Sequence, residues 1–189
     1  MPPSSPSQGE GGERVRHQTQ RWADLGAGEG AFTLALAGLL GPGAHITAVD
    51  RDRRALERLA EDMARRFPET AVDVEVADFT KPLAVHQLDG IVMANSLHFV
   101  RDKGPVLDAV RAMLRPGGRL ILVEYGTDRG NAWVPHPMSF RTWTRVAAEA
   151  GFTAGARAPQ AREGAVQLHT VPSRHFGAMY SALSRRPET

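Results

Sequence analysis

Asp24 to Gly30 reads DLGAGEG, between the short apolar run Trp22 to Leu25 and the compact apolar segment Ala31 to Leu40. A strand, a glycine-rich turn and a helix in that order form the first unit of an open parallel sheet. Glycines at such a turn let the chain reverse sharply and let a ligand approach the backbone closely. The helix after Gly30 begins with N–H groups that lack partners and point back at the turn. The segment therefore predicts a ligand site, in preference to a bare corner.

Outward from the turn, strand-like and helix-like stretches alternate. Gly41-Pro42-Gly43 stops the first helix, and His45 to Asp50 (HITAVD) reads as a second strand. Asp52 can cap a helix carrying Leu56, Leu59, Met63 and Phe67 at helical spacing, ended by Pro68. Val72 to Asp78 alternates as a third strand, and Gly90 to Ala94 (GIVMA) is continuously apolar, as in a strand covered on both faces. Val106 to Leu114 is helical and closes on Arg115-Pro116-Gly117-Gly118, before a fifth strand from Arg119 to Tyr125. Ser139 can cap a further helix with Phe140, Trp143, Val146, Ala147 and Ala150 on it, and Gly151 terminates it. Two last strands are expected near Phe152 to Ala161 and Ala178 to Leu183, an antiparallel hairpin joined around Gly164 to Arg174. The pattern predicts an α/β, doubly wound, mostly parallel sheet with helices on both faces. Residues 1–19, rich in Pro, Ser, Gly and Gln, read as a disordered tail, and 20–189 as one domain.

Composition narrows the function classes. The chain of 189 residues has no cysteine, which excludes disulfides, thiolate zinc sites and thiolate nucleophiles, including the attack that C5 methylation of cytosine needs. Lys81 and Lys103 are the only lysines, and the arginines are interleaved with acids, so nucleic acid is a disfavoured partner. No apolar run approaches the roughly 20 residues of a membrane helix, and the first residues lack a signal-peptide core, so a cytoplasmic location is expected. The histidines His17, His45, His86, His169 and His175 show no ligand spacing, and no metal is expected.

Spacing alone does not name the ligand, because Gly26, Gly28 and Ala31 also satisfy the dinucleotide pattern G-x-G-x-x-G/A. Asp50, at the end of strand two, suits the ribose of either NAD or S-adenosylmethionine (SAM). Asp24 favours SAM, since a carboxylate beside the turn repels a pyrophosphate and attracts an ammonium or sulfonium. Asp78-Phe79, closing strand three, offers an acceptor and a flat neighbour for an adenine.

Taken in order, WADLGAGEGAFTLALA, ITAVDRD, VADF, GIVMANSLHFV and MLRPGGRLILVEY resemble the class I SAM-dependent methyltransferases from Arg21 to Gly151. The resemblance implies a seven-stranded sheet with a reversed last strand. It implies that Gly26, Ala27, Gly28 and Gly30 line the methionine part of SAM, with Asp24 near its amino group and Asn95 close by. Asp50 would take the ribose hydroxyls, Arg51 would lie beside the adenine, Asp78 would accept from its amino group, and Phe79 would flank the ring. Many relatives carry a longer N-terminal segment that caps the cofactor. Here about twenty residues precede strand one, so an open site, cover by later loops or cover by a partner copy in a homodimer is expected.

Methyl transfer from a sulfonium is an in-line displacement that relies on positioning, and a base is required only when the acceptor must lose a proton. His98, after strand four, is the candidate base, because histidine exchanges protons near neutral pH; a packed structural histidine is the competing role. Tyr125, Trp133 and His136, after strand five, are candidate acceptor residues. No N/D-P-P-Y/F motif follows strand four, which demotes amide and exocyclic adenine acceptors. A small molecule remains as the acceptor. The alternatives are a non-catalytic SAM-binding scaffold or subunit and an NAD(P)-dependent oxidoreductase, for which no Tyr-x-x-x-Lys pair is present.

Overall fold

Alternation of apolar side chains along the central strands dictates two separate cores. In the computed structural model, which describes residues 19–154, 164–173 and 177–188, β1 is Arg21–Leu25, β2 His45–Asp50, β3 Ala71–Val76 and β4 Leu88–Ala94. β5 is Leu114–Tyr125, β6 Val166–Pro172 and β7 Ala178–Arg185. The helices are α1 (Ala31–Leu40), α2 (Arg53–Arg66), α3 (Gly104–Met113) and α4 (Phe140–Glu149). Ile91 and Met93 of β4, with Leu120 and Leu122 of β5, pack under Leu107, Val110 and Trp143 of α3 and α4. Their alternates Val92 and Ala94 join Leu36, Leu56, Leu59 and Met63 of α1 and α2 on the opposite face. Successive strand side chains point to opposite faces, so both faces of β4 need cover.

The sheet has seven strands in the order β3-β2-β1-β4-β5-β7-β6, and only β7 runs against its neighbours. The expected seven-stranded, doubly wound fold with a reversed last strand is the observed one. Strand order reverses between β1 and β4, and the carboxyl ends of those two strands are where such sheets bind ligands. Asp52 caps α2 through Arg54 and Ala55, and Ser139 caps α4 through Thr142, as their positions predict.

Two expectations change. Arg115-Pro116-Gly117-Gly118 does not precede strand five but lies within β5, where Arg115 Nε reaches Asp89 of β4 at 2.6 Å and the pairing register shifts. The sixth strand is Val166–Pro172, inside the stretch expected as a loop. Of the stretch Phe152 to Ala161, Thr153 makes a single bridge to Arg185, and residues 155–161 lie outside the described residues. β6 pairs only with β7 and stays largely exposed, so it carries no buried alternation for a sequence pattern to reveal. The tail expected over residues 1–19 lies outside the described residues except Thr19. Among the described residues no helix is long and apolar enough to cross a membrane.

Candidate active site

The glycine turn is tied to β2 by its own donors. Gly26 and Ala27 give their N–H groups to Val49 O at 2.8 and 3.0 Å, and Gly28 gives its N–H to Asp50 Oδ2 at 2.8 Å. Asp50 Oδ1 accepts from Asp52 N–H at 2.9 Å, so this carboxylate is fixed by backbone on both sides. Gly28 holds φ +54° and a Cβ there would meet no atom within 4 Å, which leaves room beside the turn. Gly30 differs. A Cβ there would come within 2.1 Å of Leu59 Cδ1, so its glycine is required where α1 packs on α2, and it is a packing residue first.

Asp24, 1 % exposed, is buried behind the turn. Its Oδ2 accepts from Thr33 Oγ1 at 2.7 Å, while Oδ1 has no partner. Burial pushes its carboxyl up to about 6, opposed by the Thr33 hydrogen bond and reinforced by the charge of Asp50. Asn95, at the end of β4, sits in the left-handed region at φ +53°, and its buried Oδ1 is also without a partner. The buried groups left unsatisfied around the turn are thus acceptors, next to two carboxylates. A pyrophosphate needs donors, and the first three N–H groups of this turn are already engaged. A ligand carrying an ammonium and a sulfonium fits the charge and the hydrogen-bonding capacity.

A cavity of about 240 Å³ opens beside the turn, with Gly26, Asp50 and Arg51 on one side and Ala77 and Phe79 on another. Asn95, Ser96 and Phe99 close it. Ser96 donates to Leu25 O at 2.8 Å, and a Cβ on Gly26 would meet Ser96 Cβ at 2.4 Å, so the loop after β4 presses directly on the turn. Asp78 lies beside the cavity. Its Oδ1 accepts from Thr80, bonds that hold its carboxyl below the ordinary range, and its Oδ2 is 3.9 Å from Arg51.

A second cavity, about 580 Å³, shares Asn95 and Phe99 with the first. His98, Tyr125, Asn131, Trp133 and Val134 complete it. His98 belongs to a short 3-10 turn, Leu97–Phe99, and its Nδ1 lies 2.9 Å from Glu124 Oε2. Glu124 also accepts from the His98 backbone N–H at 3.0 Å and from Tyr125 N–H at 3.3 Å. Both residues are buried, at 3 % and 0 % exposure. The carboxylate fixes Nδ1 as the donor, so Nε2 is the basic nitrogen of a His98 that borders the cavity. Packed histidine and candidate base are therefore the same arrangement.

His136 does not border this cavity; it lines a separate groove next to α3 and α4. Its backbone matters instead. His136 N–H donates to His98 O at 3.0 Å, and Lys103 Nζ binds both His136 O and Val100 O, at 3.0 and 2.8 Å. Burial pushes the Lys103 ammonium down, and the charge of Glu124 opposes that. Burial and Glu124 together push the Tyr180 phenol up. The Phe99 ring lies 4.3 Å from the His98 imidazole, centroid to centroid, yet the residue is 58 % exposed and borders both cavities. Sequence reasoning missed Glu124 and Ser96. An acid within an otherwise apolar strand was the one available signal for Glu124.

Residues 23–120 match the family model described as a methyltransferase domain, just over half of the chain. The chain belongs to this methyltransferase family. It is 39 % identical over 109 residues to fumosorinone synthetase of Cordyceps fumosorosea, covering 54 % of this chain and 3 % of that protein. It is 33 % identical over 117 residues to carboxy-S-adenosyl-L-methionine synthase of Chromohalobacter salexigens, covering 59 % of this chain and 43 % of that one. The chain thus spans less than half the length of these relatives. Among solved structures, Burkholderia thailandensis 1,6-didemethyltoxoflavin-N1-methyltransferase, with 1,6-didemethyltoxoflavin and S-adenosylhomocysteine bound, superposes with a TM-score of 0.69 at 21 % identity. That match covers 90 % of this chain and 72 % of the other, and shows the SAM-methyltransferase fold. No group of acidic and histidine side chains able to hold a metal ion occurs among the described residues.

Proposed function

We propose that this domain transfers a methyl group from SAM to a small-molecule acceptor that loses a proton in the reaction. The observation that carries this is the shared wall of Asn95 and Phe99. On one side lies a cavity edged by Asp50, with acceptor groups left unpartnered nearby; on the other lies a cavity bordered by the His98–Glu124 pair. Asp50 would hold the ribose of SAM, Phe79 and Asp78 its adenine, and Asn95 would face the methionine part, near the negative field of Asp24. SAM supplies an electrophilic methyl group and leaves as a neutral thioether.

The chain's own contribution is orientation and one proton. His98 Nε2 takes the acceptor's proton, and Glu124 stabilises the imidazolium through Nδ1–H. The hydrogen bond from His136 N–H to His98 O, and the Lys103 bridge, hold the two loops in register around that ring. Tyr125 and Trp133 form part of the acceptor cavity. Support for SAM over NAD comes from the engaged donors of the turn and from family membership.

The test has two stages. SAM and S-adenosylhomocysteine should each raise the melting temperature through preferential binding to the folded chain. Equal or greater stabilisation by NAD would reject the ligand assignment. Incubating metabolite extracts with SAM carrying a labelled methyl should then give a labelled small product, detected by mass. A protein that binds SAM but labels nothing would instead be the non-catalytic subunit.

A further inference from the structure

Seven large hydrophobic residues are exposed among the described residues, and only two are aromatic: Phe99 at 58 % and Trp133 at 84 %. Both border the larger cavity. The other five are aliphatic, on α1 (Leu39), β3 (Val74, Val76) and β6 (Leu168, Val171). An exposed tryptophan is costly in water unless something covers its ring. Here the backbone beneath it is fixed. Asn131 Oδ1 accepts from Trp133 and Val134 N–H, each at 2.8 Å, and Asn131 N–H donates to Val134 O at 3.0 Å. Val134, 5 % exposed, anchors the segment.

Inside the cavity the His98 imidazole meets Phe99 at 4.3 Å and Tyr125 edge-on at 5.7 Å. Among the described residues no Asp, Glu, Lys or Arg side chain borders it; the polar groups there are two carboxamides, a phenol, the imidazole and the indole N–H of Trp133. An acceptor carboxylate would lose its hydration without gaining a cation, and the Glu124 charge behind His98 would repel it.

We propose that this cavity takes a planar, conjugated and uncharged acceptor, such as a phenol, an enol or a heteroaromatic N–H compound, with Trp133 as the outer face of the site and Phe99 on the wall it shares with the cofactor cavity. Offset or edge-on contact with aromatic rings rewards flat ligands, and a conjugated system disperses the negative charge that proton loss to His98 would leave. The inference rests on the methyl-transfer function proposed above and names the acceptor class of that same site.

Calorimetric titration tests it with three probes on one bicyclic skeleton: 2-naphthol, 2-naphthoate and decahydro-2-naphthol. Each is titrated into the protein alone and with saturating S-adenosylhomocysteine. The expected result is that 2-naphthol binds at least about tenfold more tightly than the anionic or the saturated probe. Trp133→Ala should weaken 2-naphthol by about tenfold and Trp133→Phe by less than about threefold. Melting temperature and S-adenosylhomocysteine affinity should stay at wild-type values in both variants, since Trp133 is mostly solvated. Equal binding of the three probes, preference for the naphthoate, or indifference to Trp133→Ala would overturn the inference. Failure of S-adenosylhomocysteine itself to bind would instead remove the methyl-transfer function, whatever the naphthol selectivity.

Discussion

The two loops that meet at Asn95 and Phe99 are built on opposite plans. The β1–α1 turn is local: seven consecutive residues, with donors engaged by the neighbouring β2 and acceptors left over. The acceptor side is assembled from afar, His98 and Glu124 being 26 residues apart and joined only because β4 and β5 are adjacent. A local turn can be specified by glycines at set spacings. A distant pair needs the whole sheet to place it. The difference teaches where mutations should act: on cofactor affinity and stability at the turn, on turnover at the pair.

The largest effect is expected at the pair. His98→Gln should lower kcat by about 10²–10⁴ with SAM affinity nearly unchanged, and Glu124→Gln should lower kcat by a comparable factor. Single-turnover rates and calorimetry on each variant check this. A loss below about fivefold in both would show that the acceptor needs no base and would leave alignment as the mechanism.

Next comes Asp50→Ala. SAM affinity should fall by about 1.5–3 kcal/mol, the usual scale for a lost charged hydrogen-bond partner. As a strand-end carboxylate Asp50 would look dispensable to the fold, yet it satisfies the Gly28 and Asp52 N–H groups. The melting temperature should therefore fall too, by an amount corresponding to about 1–3 kcal/mol. An unchanged melting temperature alongside weakened binding would show that water replaces the carboxylate at both donors.

Asp24 sharpens the comparison through pH. Its carboxyl is raised from 3.8 to about 6, so the folded chain holds that proton more tightly than the unfolded chain. In the ligand-free protein its contribution is fully present below about pH 3.8 and is lost as pH rises through about 6, in all about 3 kcal/mol. Asp24→Asn has no charge to desolvate, so its melting temperature should gain on wild type progressively as pH rises from 3.8 through about 6. Affinity for S-adenosylhomocysteine should move oppositely, strengthening with pH through about 6 in wild type and staying flat in the variant. A variant that melts lower than wild type at neutral pH would place a compensating cation beside Asp24 in the empty protein.

The smallest effect belongs to Arg51. Its guanidinium is exposed and stands 3.9 Å from Asp78, so Arg51→Ala should change SAM affinity by no more than about twofold. A tenfold loss would mean that Arg51 grips the cofactor directly and not through a screened surface contact.

Local physics settled much of this protein in advance. The turn at Gly26 to Gly30, the Asp52 and Ser139 caps, and the apolar runs of β4 and β5 each follow from neighbouring residues, so the doubly wound sheet and its ligand edge were legible along the chain. His98 could be named as a candidate base because it follows β4, but nothing near it in the chain points to Glu124. The edge strand β6 buries too little to impose a pattern, and the placement of His136 in a groove separate from the acceptor cavity depends on which groups its loop meets. Those features were decided by tertiary structure alone. Strand adjacency and burial bring together groups whose sequence separation carries no information, whereas turns and caps are closed by residues within reach of their own backbone.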